Sequence, residues 1–280
     1  MPEKLKEESM SIYSLYTHNQ ESLRCEHSDL LILISSTEHK GSLSELLRGE
    51  DNLFTPTLIT NAVENLCPFK AITIEPIDTQ THQTPKTLFS QGAKMAHSYE
   101  IRGNSLILGT ISAALAPSQI QKLTKTIESL STQREGSAFE LLEECDAMLL
   151  YISGFLFEAS RRFHLILGGD ILMAFALLVA DSLREELLMR PMHQNISYVT
   201  TEWALQTQPI EEKLAMLSYE PHALYSSFSC EGCEIKELED IGKNGSLESA
   251  ASGAALAYAE ANNITQKALL EEMELIVYML

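Results

Sequence analysis

The chain has 280 residues, 45% of them hydrophobic, and 39 acidic against 20 basic side chains give it a formal net charge of −19. A chain this long buries about three quarters of the surface its unfolded form exposes, which suits one large α/β domain or one domain with a small appendage. So acidic a surface repels DNA, RNA and anionic lipid, because phosphate binding needs clustered Lys and Arg, yet its few positive charges can still gather in one pocket and hold a single anion.

The N-terminal stretch MPEKLKEESM is charged and lacks the apolar centre of a secretory signal. Leu30 to Ser35 (LLILIS) reads as a buried strand, and Pro56 to Leu66 as a helix with Thr55 as N-cap and proline at its first position. KAITIEP alternates like a strand, Asp78 to Pro85 is a polar loop, and Ser105 to Gly109 is a second buried strand. Pro117 opens a helix to about Ser131, and STQREGS is a linker. Ala138 to Ser160 is helical with a break expected near Gly154. Phe163 to Leu167 is a strand, Asp170 opens a long helix to about Leu188, and Asn195 to Thr201 is a strand. Two helices, about Ser249 to Ala261 and Thr265 to Tyr278, close the chain. Strands alternating with helices imply a mostly parallel sheet covered on both faces.

The cysteines (Cys25, Cys67, Cys145, Cys230, Cys233) are odd in number, so reduced thiols in a cytoplasm are expected. Cys230 and Cys233 form a single C-x-x-C, and without a second pair they make neither a zinc nor a thioredoxin-like site. The longest apolar run, Ile171 to Ala180, is too short to span a bilayer.

Three junctions carry candidate chemistry. Gly168-Gly169-Asp170 lies between a strand and a helix, where open α/β sheets bind ligands and where helix N–H groups hold phosphate. The plain alternative is a tight turn with Asp170 as N-cap. GSLESAASGAAL (Gly245 to Leu256) leads small residues into a helix, with Glu248 as a catalyst or as an acid complementing the helix dipole. Ser36-Thr37-Glu38 follows the first buried strand, as a site or as an ordinary β–α turn.

Four stretches in order, LLILISSTEHKG with FTP after it, HLILGGDILMAFAL, NISYVTTEWALQ and GSLESAASGAALAYAEANNI, resemble the nicotinate-nucleotide:dimethylbenzimidazole phosphoribosyltransferases of cobamide biosynthesis. The likeness runs from about Asp29 to the end and is nearest the divergent archaeal and bacterial branch. It implies a three-layer Rossmann-like sheet (core 29–245) with a small helical subdomain built from residues 1–28 and 246–280, in a cytoplasmic homodimer without metal or cofactor. It implies transfer of ribose phosphate from nicotinate mononucleotide to a benzimidazole or purine base. Glu248 falls at the family's general base; Gly168, Gly169, Asp170, Gly109, Thr110, Ser252 and Gly253 at the nucleotide and its phosphate; and Ser36, Thr37 and Glu38 at the base. The pattern also departs from the family. Ser249, Ala250 and Ala251 replace glycines, LILGTISAALAP lacks the family's acid and Gly-Gly, and Ile59 and Asn61 stand for acids. These departures motivate two alternatives: a member that binds nucleotide or pairs with a partner subunit without turnover, and an interaction scaffold whose small-residue helix packs at an interface.

Overall fold

Apolar runs that match the strand period form the middle of one eight-stranded sheet. The computed structural model describes residues 10–23, 28–35, 58–74, 83–111, 115–132, 138–186, 196–236, 238 and 250–279. The strands are β1 (Ile12–Ser14), β2 (Gln20–Glu21), β3 (Ser28–Ser35), β4 (Lys70–Ile74), β5 (Ser105–Ile111), β6 (His164–Gly168), β7 (Ile196–Thr201) and β8 (His222–Ser226). Their order across the sheet is β2-β1-β8-β7-β6-β5-β3-β4. The strands from β8 to β4 are all parallel, whereas β1 joins β8 antiparallel and carries β2. The expected mixed α/β class with a mostly parallel sheet is therefore observed.

The described helices are α1 (Leu58–Leu66), α2 (Pro85–Ser98), α3 (Pro117–Thr132), α4 (Ala138–Leu141), α5 (Ala147–Ala159), α6 (Ile171–Glu186), α7 (Glu202–Thr207), α8 (Ile210–Leu214), α9 (Ala250–Ala261) and α10 (Gln266–Met279). From β3 the chain goes outward through α1 to β4, then back past β3 through α2 to β5. Right-handed crossovers in opposite directions put α1 and α2 on opposite faces. The two cores agree. Leu106, Leu108 and Leu167 pack with Phe89 of α2, Phe155 of α5 and Phe175 of α6. Ile32, Ile107 and Ile166 pack with Ile59 of α1, Ala254 of α9 and Met273 of α10. The reversal of winding falls between β3 and β5, and their carboxyl ends are where such a sheet opens a crevice.

Several expectations change. Over residues 10–23 the N-terminal end is two short strands, not part of a helical subdomain, and α9 and α10 lie on the sheet's second face. A three-residue strand has no period of its own; pairing along β8 makes it one. The break near Gly154 is absent. Instead α5 runs through Gly154, and the interruption falls before Asp146, whose Oδ1 accepts from the N–H groups of Met148 and Leu149 at 2.8 and 3.2 Å. Gly154 serves close packing: a Cβ there would lie 1.9 Å from the Phe89 carbonyl oxygen, and one on Gly92 would lie 1.9 Å from that of Tyr151. Helix α2 was not anticipated, though it has an ordinary start, with Thr84 capping the N–H of Thr87 and Pro85 in its first turn. Thr55 and Pro56, most of the 78–85 loop and residues 133–137 of the linker lie outside the described residues. Among the described residues no helix is long and apolar enough to cross a membrane.

Candidate functional site

The carboxyl edge of the sheet is built by close approach. Strand β6 ends at Gly168, and the Gly169 N–H donates to the Val199 carbonyl at 2.7 Å. In return the Thr200 hydroxyl donates to the Gly169 carbonyl (2.8 Å) and the Tyr198 hydroxyl to the Asp170 carbonyl (2.7 Å). A Cβ on Gly169 would lie 2.1 Å from the Tyr198 ring, so this position admits no side chain. Burial, followed by the Asp170 charge, pushes the Tyr198 phenol well above its ordinary pKa and keeps it a neutral donor.

Helix α9 is pressed onto the same edge from the other face. A Cβ on Gly253 would lie 2.4 Å from the Val199 carbonyl oxygen and 3.0 Å from the Gly169 nitrogen. One on Gly109 would lie 2.7 Å from the Ala254 Cβ and 2.9 Å from the Ala251 Cα. Gly109, Gly169 and Gly253, distant in sequence, therefore converge, with Gly168 and the fully buried Ser252 beside them. The small residues of α9 that suggested an interface are buried against the chain's own sheet.

The start of α6 is largely engaged. Asp170 Oδ1 accepts from the Met173 N–H at 2.9 Å, and Gln208 Oε1 accepts from the Ile171 N–H at 2.8 Å. Thr110 differs. It is fully buried near the carboxyl end of β5, and among the described residues its hydroxyl has no hydrogen-bond partner. Strand alternation sets it on the face of Leu106 and Leu108, the face α6 covers, while Gly109 meets α9. Glu248 and Ser36, Thr37 and Glu38 lie outside the described residues. The NISYVTTEWALQ stretch holds Tyr198 and Thr200, the latter the first threonine of T-T-x-W, without marking either as a site residue, and Gln208 lies two residues beyond it.

The amino edge gathers charged side chains around two cavities. A cavity of about 620 Å³ is lined by Glu100, Gly103, Asn104, Arg161, Arg162 and His164, and one of about 320 Å³ by Asp29, Phe69, Lys70, Tyr99 and Arg102 among others. Arg102 holds Asp29 through Nε and Nη2 on Oδ1 (2.9 and 2.7 Å) and its main-chain N–H on Oδ2 (2.6 Å). Burial and then the Asp29 charge push the Tyr99 phenol up to about 12. A row of polar groups crosses the strand starts: Ser105 Oγ to His164 Nδ1 (3.4 Å), His164 Nε2 to Ser197 Oγ (3.5 Å), Ser197 Oγ to His222 Nδ1 (3.0 Å) and His222 Nε2 to Glu21 (2.8 Å). Burial and then the nearby His222 lower the His164 pKa, so that its ring is held neutral.

Among the described residues no group of three His, Cys, Asp or Glu is placed to hold a metal. Cys230 is buried, and its thiol pKa is driven far up by a hydrogen bond with Cys233 and by burial. Such a thiol is a poor nucleophile. No protein-family model matches this chain, and no curated protein matches it.

Proposed function

We propose that this chain is a phosphoribosyltransferase of the kind its motif order resembles, with nicotinate mononucleotide held in the crevice where β3, β5 and β6 end. The acceptor base nitrogen attacks C1′ of the ribose, the C1′–N bond to nicotinate breaks with its electron pair leaving on nicotinate, and Glu248 takes the proton from the attacking base. A positioned general base is worth roughly 10²–10⁴-fold. Ser36, Thr37 and Glu38 contact the base, and a second copy completes the assembly.

The observation that carries this reading is Thr110: a fully buried hydroxyl without a partner among the described residues, at the carboxyl edge beside the point where the winding reverses. Most buried side-chain polar atoms in folded proteins have a hydrogen-bond partner, and a bound ligand is one way to complete a hydroxyl that has none. Because Gln208 and Asp170 already take the Ile171 and Met173 N–H groups, the phosphate sits nearer Gly109 and Thr110. Gly168, Gly169 and Gly253 let α9 come close enough to form one wall. Helix α9 starts at Ala250, just after Glu248, and its first turns lie over the carboxyl ends of β5 and β7.

The same engaged start of α6 favours a second reading, a member that binds nucleotide without turnover. Nicotinate release decides between the two. The pure protein with nicotinate mononucleotide and adenine or dimethylbenzimidazole is expected to release nicotinate, and Glu248→Gln to abolish release while sparing binding. Binding without release leaves the second reading. Release unchanged in Glu248→Gln removes that residue from the mechanism.

A further inference from the structure

The cations of the larger amino-edge cavity are incompletely used. Arg161 donates through Nη1 alone, to Glu158 Oε2 at 3.2 Å. Arg162 also donates through Nη1 alone, to the carbonyls of Ala96 and His97 at the end of α2. Its guanidinium lies 4.7 Å from the Phe163 ring centroid, a cation–π contact. Among the described residues the Nε and Nη2 donors of both arginines have no partner, and Arg162 has no carboxylate within ion-pair distance. This is unusual in a chain where acids outnumber bases 39 to 20. Arg102, by contrast, spends Nε and Nη2 on Asp29. Glu100 is the acid on the cavity lining, and Glu158 is already shared between His97 and Arg161.

The Nε–Nη2 edge of a guanidinium is the edge that matches two oxygens of a carboxylate or phosphate. Two such edges on neighbouring residues suit the three terminal oxygens of a phosphate. At about 620 Å³ the cavity is within the range of small-molecule sites. Asn104 adds an amide on the lining, and His164 lines it as well. We propose that this cavity is a second ligand site that takes a phosphate group, free or as a monoester, on Arg161 and Arg162. It is separate from the nucleotide crevice, which lies at the opposite edge of the sheet.

The test is calorimetric titration of the full chain with inorganic phosphate and with phenyl phosphate at constant ionic strength, with the ring signals of His164 followed by NMR. Saturable binding is expected, with movement of the His164 signals. Arg161→Gln, which removes only one surface ion pair from the fold, is expected to weaken binding roughly tenfold or more. Lys267→Gln, on the distant α10, is expected to leave it unchanged. Tighter binding of phenyl phosphate marks a monoester as the ligand, and equal binding marks the free anion. No saturable binding of either probe overturns the proposal. So does binding that Arg161→Gln leaves intact and that does not move His164, which would place the phosphate elsewhere.

Discussion

The two edges of the sheet use different residue types to different ends. At the carboxyl edge Gly109, Gly169 and Gly253 let strands, α9 and the Tyr198 ring meet at main-chain distance, and the Tyr198 and Thr200 hydroxyls donate to main-chain carbonyls. The amino edge gathers Arg, His, Glu and Asp around two cavities. A glycine-rich strand–helix junction is thus as well suited to bringing backbones together as to cradling a phosphate, and the partner of each N–H tells the two apart. By that criterion, among the described residues, Thr110 at the carboxyl edge has a hydroxyl without a partner, and Arg161 and Arg162 at the amino edge have unused N–H donors.

This contrast can be broken by mutation. The largest effect is expected from Gly169→Ala, whose new methyl meets Tyr198 at 2.1 Å. It should destabilise the fold by roughly 3 kcal/mol, read by denaturant unfolding. Thr110→Val removes a hydroxyl that is buried and, among the described residues, unpartnered, in nearly the same volume. It should stabilise the ligand-free protein by about 1 kcal/mol and raise its Tm, while weakening nucleotide binding. A gain in stability with binding unchanged would make Thr110 a packing defect and not a site residue. At the amino edge Arg161→Gln should leave stability within about 0.5 kcal/mol, since the pair it breaks is at the surface. The smallest effect is a pH slope. His164 has its folded pKa below the ordinary 6.5, so at lower pH the unfolded chain binds more protons than the folded one. Stability is full above about 6.5 and is lost as pH falls through that value toward the folded pKa. His164→Gln should flatten that part of the stability–pH curve.

Much of the fold was readable because the central strands carry their own signal. LLILIS, SLILG and FHLIL are short, mostly apolar runs of strand length, as strands covered on both faces carry, and β3, β5 and β6 formed there. Helix α6 was readable from an apolar stretch after an N-cap aspartate. The misses have physical causes. Strands β1 and β2 are too short to show a period, and β8 is no longer than β6 but has only three apolar residues (HALYS); all three exist through pairing with their neighbours. Gly154 carried a breaker's signal but was small for the sake of the Phe89 carbonyl across from it, a contact that sequence does not display. At the carboxyl edge the glycines could be named, but not which N–H groups Gln208 and Asp170 would take. At the amino edge Arg161 and Arg162 were visible only as a basic pair. Gly103, Asn104 and His164 come from other segments, and the fold alone brings them together.

The carboxyl edge near Thr110 is proposed to hold a nucleotide, and the amino-edge cavity would also take the phosphate of one. Calorimetric titration with nicotinate mononucleotide of Arg161→Gln, in which the amino-edge site is weakened, and of the Arg161→Gln, Thr110→Val double variant separates the two. Saturable binding to Arg161→Gln is expected, weakened roughly tenfold when Thr110→Val is added. Absence of binding to Arg161→Gln, or binding that the added Thr110→Val leaves intact, would contradict the nucleotide site at Thr110.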